Sequence, residues 1–176
     1  MIFTATELQG AFVLDLQKFE DARGFFAHAW ARAEFERHGL DPRVHDLNLS
    51  HNAASGTLRG MHFQTAPYAQ AKTLRCIRGA IYDVIIDLRP GSATFRRWIG
   101  AELSAANGRA LYVPEGFAHG FQTLEDDTDV MYLVSTAYAP GSEGGVRYDD
   151  QAFGIQWPRE VTVVSDKDAA WPIVEG

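Results

Sequence analysis

Short apolar runs separated by turn residues dominate the chain, and they predict strands. The clearest is "RGAIYDVIIDLRPGS", which puts Ala80, Tyr82, Val84, Ile86 and Leu88 on one face and Ile81, Asp83, Ile85 and Asp87 on the other, with Pro90-Gly91 as its stop. Pieces of the same kind recur at "RRWIGAEL", "RALYVP", "HGFQTL" and "VMYLVSTAY". Asn107-Gly108 between two of them signals a tight turn, although the preceding "SAAN" also reads as helix. One stretch near the front has helical character: "WARAEFERHG", Trp30 to Gly39, combines good helix formers with an apolar spacing of Trp30, Ala33 and Phe35, and Gly39 is placed to end it. Turn signals about ten residues apart favour a β-sandwich or barrel. No linker, low-complexity tract or long repeat divides the chain, so one domain over residues 1–176 is expected.

Composition narrows the partners. With 176 residues, 46% hydrophobic and 12% aromatic, the chain can bury a sizeable core. The net charge of -7 works against nucleic acid or an anionic membrane, while a few arginines still suffice for a local anion site. The single cysteine, Cys76 in "TLRCIRG", excludes an internal disulfide and reads as a small core residue. "MIFTATELQG" lacks a signal-peptide pattern and no apolar run approaches eighteen residues, so a cytoplasmic protein is expected.

Candidate chemistry sits on the strands. Asp83 on the wall of a barrel points into the lumen, where a carboxylate must be paired or wet; a buried arginine or histidine is the simplest partner. "Gly56-x5-His62-x-Gln64", followed by "Lys72-x6-Gly79", and "Gly108-x5-Pro114-x-Gly116-x2-His119" resemble the two signatures of the cupin superfamily, a jelly-roll double-stranded β-helix. Cupins that bind metal offer two histidines, a glutamate and a further histidine; the corresponding places here hold His62, Gln64, Lys72 and His119. A lysine ammonium has no lone pair and repels a divalent cation, so no metal is expected, with His62, Gln64 and His119 as the residual alternative ligand set.

A narrower likeness covers most of the chain. "DARGFF", "LRGMHFQ", "AQAK", "YDVIIDLR", "VPEGFAHGF", "MYLVSTAY" and "SDKD" stand in the order and spacing that resemble the dTDP-4-dehydrorhamnose 3,5-epimerases. The resemblance implies a cupin jelly roll acting as a homodimer. It also implies inversion of the carbons flanking the 4-keto group of a 6-deoxyhexose carried on a nucleoside diphosphate, with no metal and no organic cofactor. That chemistry requires a base, a group that stabilises the growing enolate, and an acid on the opposite face. His62 suits the base, Lys72 the enolate, and the family's catalytic tyrosine falls on Tyr132. The carboxylate that orients the base falls on Asp168 by resemblance, while Asp83 competes for it on the residues alone. Arg23 and Arg59 occupy the family positions for the pyrophosphate, a task suited to planar guanidinium groups. Asn48 and Gln70 are candidate contacts to nucleotide or sugar, Gln64 positions the sugar or holds His62, and His119 supports the pocket.

Each residue also has a plainer reading. Lys72 and Arg75 fit a solvated basic strand edge, Tyr132 an ordinary strand aromatic, and Arg23 a turn residue facing water. Strict alternation sets Arg59 and His62 on opposite faces, so both serve one site only if Gly60 bends the strand or Arg59 reaches a neighbouring subunit. The chain departs from the family at His28, at Asp46 in "DLN", at Leu133 and at Tyr148, and Asp46 bears on the choice of nucleobase. The alternatives are a single-centre epimerase, a ketoisomerase, a non-catalytic sugar-nucleotide-binding cupin and a metal-dependent oxygenase.

Overall fold

In the computed structural model, which describes residues 1–174, the predicted strands form and further ones join them. In chain order the elements are β1 (Ile2–Ala5), β2 (Phe12–Asp15), β3 (Phe19–Asp21), β4 (Gly24–Phe26), α1 (Arg32–Arg37), β5 (Asp46–Asn52), β6 (Leu58–Gln64) and β7 (Lys72–Arg78). There follow β8 (Ala80–Asp87), β9 (Trp98–Ser104), β10 (Ala110–Val113), β11 (Phe117–Thr123), β12 (Thr128–Val134), β13 (Glu143–Gly145) and α2 (Asp166–Ala169). One sheet has the order β1-β2-β10-β7-β12-β5, the other β13-β6-β11-β8-β9, and β3 and β4 form a separate hairpin. All pairings between named strands are antiparallel. From β5 to β8, and again from β9 to β13, successive strands alternate between the two sheets, which is the jelly-roll arrangement expected.

That alternation changes the meaning of Asn107-Gly108. The turn is tight, with Gly108 at φ +63° and the Asn107 side chain accepting from Ser104 N and Arg109 N, yet it carries the chain from β9 in one sheet to β10 in the other. A hairpin signal therefore marks a sheet-to-sheet crossing. The core between the sheets takes Leu74, Cys76, Leu111 and Val130 from one side and Ile81, Ile85, Leu103, Phe117 and Phe121 from the other. The opposite face of β8, Val84 and Ile86, packs with Met61, Ala118, Val146 and Phe153 in a second layer. Burial on both faces explains why "AIYDVIID" reads as an almost unbroken apolar run.

The helix α1 is shorter than its sequence pattern. It covers Arg32–Arg37, has no side-chain N-cap, and ends into Gly39 at φ +69°. A helix this short has little stability of its own. Phe35, 1% exposed and packed edge-on against Phe3 and Tyr112, ties it to the outer side of the six-stranded sheet. Lys72 and Arg75 lie on β7, between β10 and β12, so the basic-edge reading fails: β7 is an inner strand. On β5 the usual polarity is reversed. Asp46, Asn48, Ser50 and Asn52 turn inward while Leu47 and Leu49 stand 59% and 65% exposed.

Candidate active site

Five polar side chains interrupt the inward faces of five strands at one end of the core: His62 on β6, Lys72 on β7, Asp83 on β8, His119 on β11 and Tyr132 on β12. Each lies next to apolar inward positions, such as Leu74 after Lys72 and Val130 before Tyr132. Together they convert the end of a hydrophobic core into the floor of a cleft. The cleft has two lobes of about 320 and 310 Å³. His62, Lys72 and Tyr132 line both, so they form its waist. His62 comes from the five-stranded sheet and Lys72 and Tyr132 from the six-stranded one, so the imidazole and the phenol approach the waist from opposite walls.

Arg59 reaches the same cleft because β6 bulges. His119 pairs with His62 and Phe121 with Arg59, two steps on β11 against three on β6. The extra residue returns Arg59 to the side of His62. Gly60 makes this fit: it has φ +137°, and a Cβ there would lie 2.5 Å from Gly120 Cα. Arg59 Nε donates to Asn52 Oδ1 at 2.7 Å and its Nη2 to the His51 carbonyl at 3.3 Å, which aims the remaining guanidinium N–H groups along the second lobe.

The two carboxylates that competed for His62 are assigned to different histidines. Asp168 Oδ1 accepts from His62 Nε2 at 2.7 Å, and its Oδ2 accepts from Gly60 N at 3.0 Å. Asp83 Oδ1 instead accepts from His119 Nε2 at 2.6 Å, satisfying the buried-histidine reading. Asp168 stands on α2, whose N-cap Ser165 accepts from Asp168 N, so the chain after residue 160 folds back over the cleft to deliver it. Burial pushes the Asp168 carboxyl up, but the His62 and Gly60 hydrogen bonds outweigh this and hold it below the usual carboxylate range. With Nε2 engaged, Nδ1 is the His62 nitrogen left to take a proton.

Burial lowers the Lys72 ammonium to about 8, with Asp83 and then Glu143 pulling it back up. Burial likewise pushes His119 down, outweighing its bond to Asp83, so its imidazole is neutral near pH 7. Cys76 is driven up to about 11 by burial, which makes it inert as a nucleophile and supports its core reading. Among the described residues no group of three His, Cys, Asp or Glu is arranged to hold a metal ion. No helix among them is long and apolar enough to cross a membrane.

Asn48 and Gln70 line the first lobe together with Asp46. Gln64 borders it too, but its amide is committed: Nε2 donates to the Tyr68 and Ala137 carbonyls and Oε1 accepts from Ala139 N. The expectation that Gln64 holds sugar or His62 is therefore corrected; it ties two loops together. Arg23 does not reach the cleft of its own chain. It sits at the tip of the β3–β4 hairpin, paired with Asp21 and exposed to water. Glu143 and Lys167, which no sequence motif marks as site residues, stand one in each lobe, joined at 2.6 Å, with Tyr138 also donating to Glu143 at 3.1 Å. The only signal was the place of Lys167 beside Asp168 in "SDKD".

A cupin cleft with a histidine–aspartate pair, an ammonium and a phenol at its waist narrows the family, and comparison decides it. The sequence profile described as dTDP-4-dehydrorhamnose 3,5-epimerase matches residues 5–175. The chain belongs to that family. A dTDP-4-dehydrorhamnose 3,5-epimerase of Sinorhizobium fredii is 42% identical over 173 residues, covering 98% of this chain and 89% of the relative. The crystal structure of the Bacillus anthracis dTDP-4-dehydrorhamnose 3,5-epimerase, with TDP and pyrophosphate bound, superposes with a TM-score of 0.94 at 42% identity, covering 98% and 99% of the two chains. A 3′-monoepimerase from Streptomyces bikiniensis, solved with dTDP-quinovose, is similar at 34% identity and a TM-score of 0.87, covering 95% of this chain and 85% of that one. As a family member the protein is an epimerase, an enzyme of the isomerase class.

Proposed function

We propose that the protein inverts C-3 and C-5 of a dTDP-linked 4-keto-6-deoxyhexose by proton transfer through an enolate, each chain working as one domain. The observation that carries this is the waist: base, cation and phenol converge there, with base and phenol on opposite walls. His62 Nδ1 takes the proton from a carbon beside the ketone, and the C–H electrons pass into the carbonyl as an enolate. Asp168 stabilises the imidazolium that forms, and the Lys72 ammonium stabilises the enolate oxygen. The Tyr132 phenol then protonates the carbon from the other side and is reprotonated from solvent, while His62 releases its proton. The second centre follows the same course after the sugar shifts in the cleft.

Arg59 in the second lobe is assigned to the diphosphate, and Asn48, Asp46 and Gln70 in the first lobe to nucleotide or sugar. The nucleotide assignment rests on the relatives solved with TDP or a dTDP-sugar. Arg23 belongs to a diphosphate site only in a homodimer, and the surface supports one. Phe19, Phe25 and Phe26 of its hairpin are 57%, 55% and 63% exposed, and the outward face of β5 shows Leu47 and Leu49. Such apolar surface is expected to be covered, and a hairpin from a second copy would bring its arginine along. Sedimentation should report a dimer that Phe25→Ser/Phe26→Ser weakens. The buried Cys76 thiol suits a reducing compartment, and a cytoplasmic home is part of the same proposal.

The test is product configuration: incubation with dTDP-4-keto-6-deoxyglucose followed by NMR of the sugar ring should show both centres inverted. The likeness to a 3′-monoepimerase defines the second reading, and inversion at C-3 alone would establish it instead.

A further inference from the structure

Asp83 is the most deeply placed acidic group of the site, 0% exposed, and its bond to His119 occupies only Oδ1. Oδ2 is buried without any hydrogen-bond partner. A buried carboxylate oxygen left in this way is costly unless an opposite charge stands nearby. The histidine does not supply that charge, because burial keeps His119 neutral. Lys72, on β7 of the facing sheet, is the cation on which the Asp83 charge acts; its ammonium makes no direct ion pair with any described residue and so remains open to a substrate oxygen.

We propose that Asp83 is the counter-charge of Lys72: a positioning residue that never touches substrate and keeps the ammonium charged in the dry floor of the cleft. A direct salt bridge would quench the cation and block it. A carboxylate one layer deeper, held in place by a neutral histidine, leaves the ammonium free to meet a substrate oxygen while making its loss of a proton unfavourable. The other groups facing Lys72 do not replace it. His62 is itself tied to Asp168, and Glu143 on β13 is bound to Lys167. Asp46 on β5 lies at the half-exposed rim of the first lobe. The role of Lys72 in catalysis rests on the function proposed above; the electrostatic pairing does not.

The chain has three lysines, Lys18, Lys72 and Lys167, so protein labelled with 13C at the lysine Cε gives a short NMR titration, with Lys72→Arg identifying the signal. In the unliganded wild type Lys72 should titrate near 8. In Asp83→Asn the midpoint should fall by roughly one pH unit or more, as removal of a nearby opposite charge requires. Glu143→Gln should move it less, since Asp83 has the larger influence. Should Asp83→Asn fold poorly, Asp83→Val/His119→Leu replaces the pair with apolar groups, an exchange that buried ion pairs often tolerate, and the same fall is expected. In turnover the alkaline limb of kcat should move to lower pH with KM little changed, which a merely structural residue would not produce. An unchanged Lys72 midpoint in either folded variant overturns the proposal. A fall in the midpoint together with a wild type that leaves the sugar unchanged supports the pairing and refutes the epimerase reading.

Discussion

Asp168→Asn removes one charge and one acceptor from a carboxylate with two buried donors to satisfy. Oδ1 accepts from His62 and Oδ2 from Gly60 N, at 2.7 and 3.0 Å, so the asparagine must turn its NH2 toward one of them. Facing Gly60 N–H, it sets two buried donors against each other, at about 1–3 kcal/mol. Facing His62, it donates to Nε2 and forces the imidazole proton onto Nδ1, the nitrogen that must be empty to accept from substrate. The second arrangement spares the backbone and is the one expected. The fold then loses about 1 kcal/mol or less while the base is held in the wrong tautomer. Loss of the tautomer and of imidazolium stabilisation in comparable histidine–aspartate arrangements lowers kcat roughly ten-thousand-fold, about 5 kcal/mol of barrier. Solvent deuterium uptake into the sugar at saturating substrate gives the rate, and urea denaturation of the same sample gives the stability. A variant within tenfold of wild-type exchange would refute the tautomer argument, as would one whose activity loss merely tracks unfolding.

Three further outcomes follow from the same geometry. Activity should decline above about pH 8 as Lys72 loses its proton, and Lys72→Met, which keeps bulk without charge, should lower kcat at least a hundred-fold at pH 7; kcat against pH for both proteins checks this. Gly60→Ala should cost ~3 kcal/mol or more in urea denaturation, because φ +137° is strained for any side chain and the added methyl meets Gly120 Cα. Asp87, buried and bonded to Arg89, Ser92 and Thr94, is held far below the ordinary carboxylate range, the burial that would raise it being outweighed by those bonds. Its stabilisation is therefore present above about pH 4 and lost as pH falls from there toward its depressed value. Asp87→Asn should be ~3 kcal/mol less stable at pH 7, with the gap closing in acid denaturation.

How much was legible in advance follows from what each residue's signal depends on. β8 to β12 were visible because burial on one or both faces writes itself into the apolar pattern. His62 stood out as a polar residue inside a short apolar run, while Lys72 and His119 were placed by the spacing of the cupin signatures. β5 was invisible for the complementary reason: its inward face lines a wet cleft and its outward face is apolar, so "DLNLSHN" reverses the pattern that marks a strand. The bulge at Gly60 depends on close approach to Gly120, a residue far along the chain, so alternation alone misplaced Arg59. Glu143 and Lys167 acquire meaning only once α2 is docked against β13. Asp83 and Asp168 competed on paper as the partner of His62, and the diagonal placement of Asp83 beside His119 on adjacent strands separates them.

The measurement that bears most directly on the central claim is proton exchange at the two carbons beside the ketone. The purified protein is incubated with dTDP-4-keto-6-deoxyglucose in heavy water, and deuterium at C-3 and C-5 is followed by NMR, with His62→Ala in parallel. The account predicts uptake at both positions in the wild type and none above background in the variant. Undiminished uptake in His62→Ala, or a wild type that binds the sugar nucleotide and exchanges neither hydrogen, would contradict it.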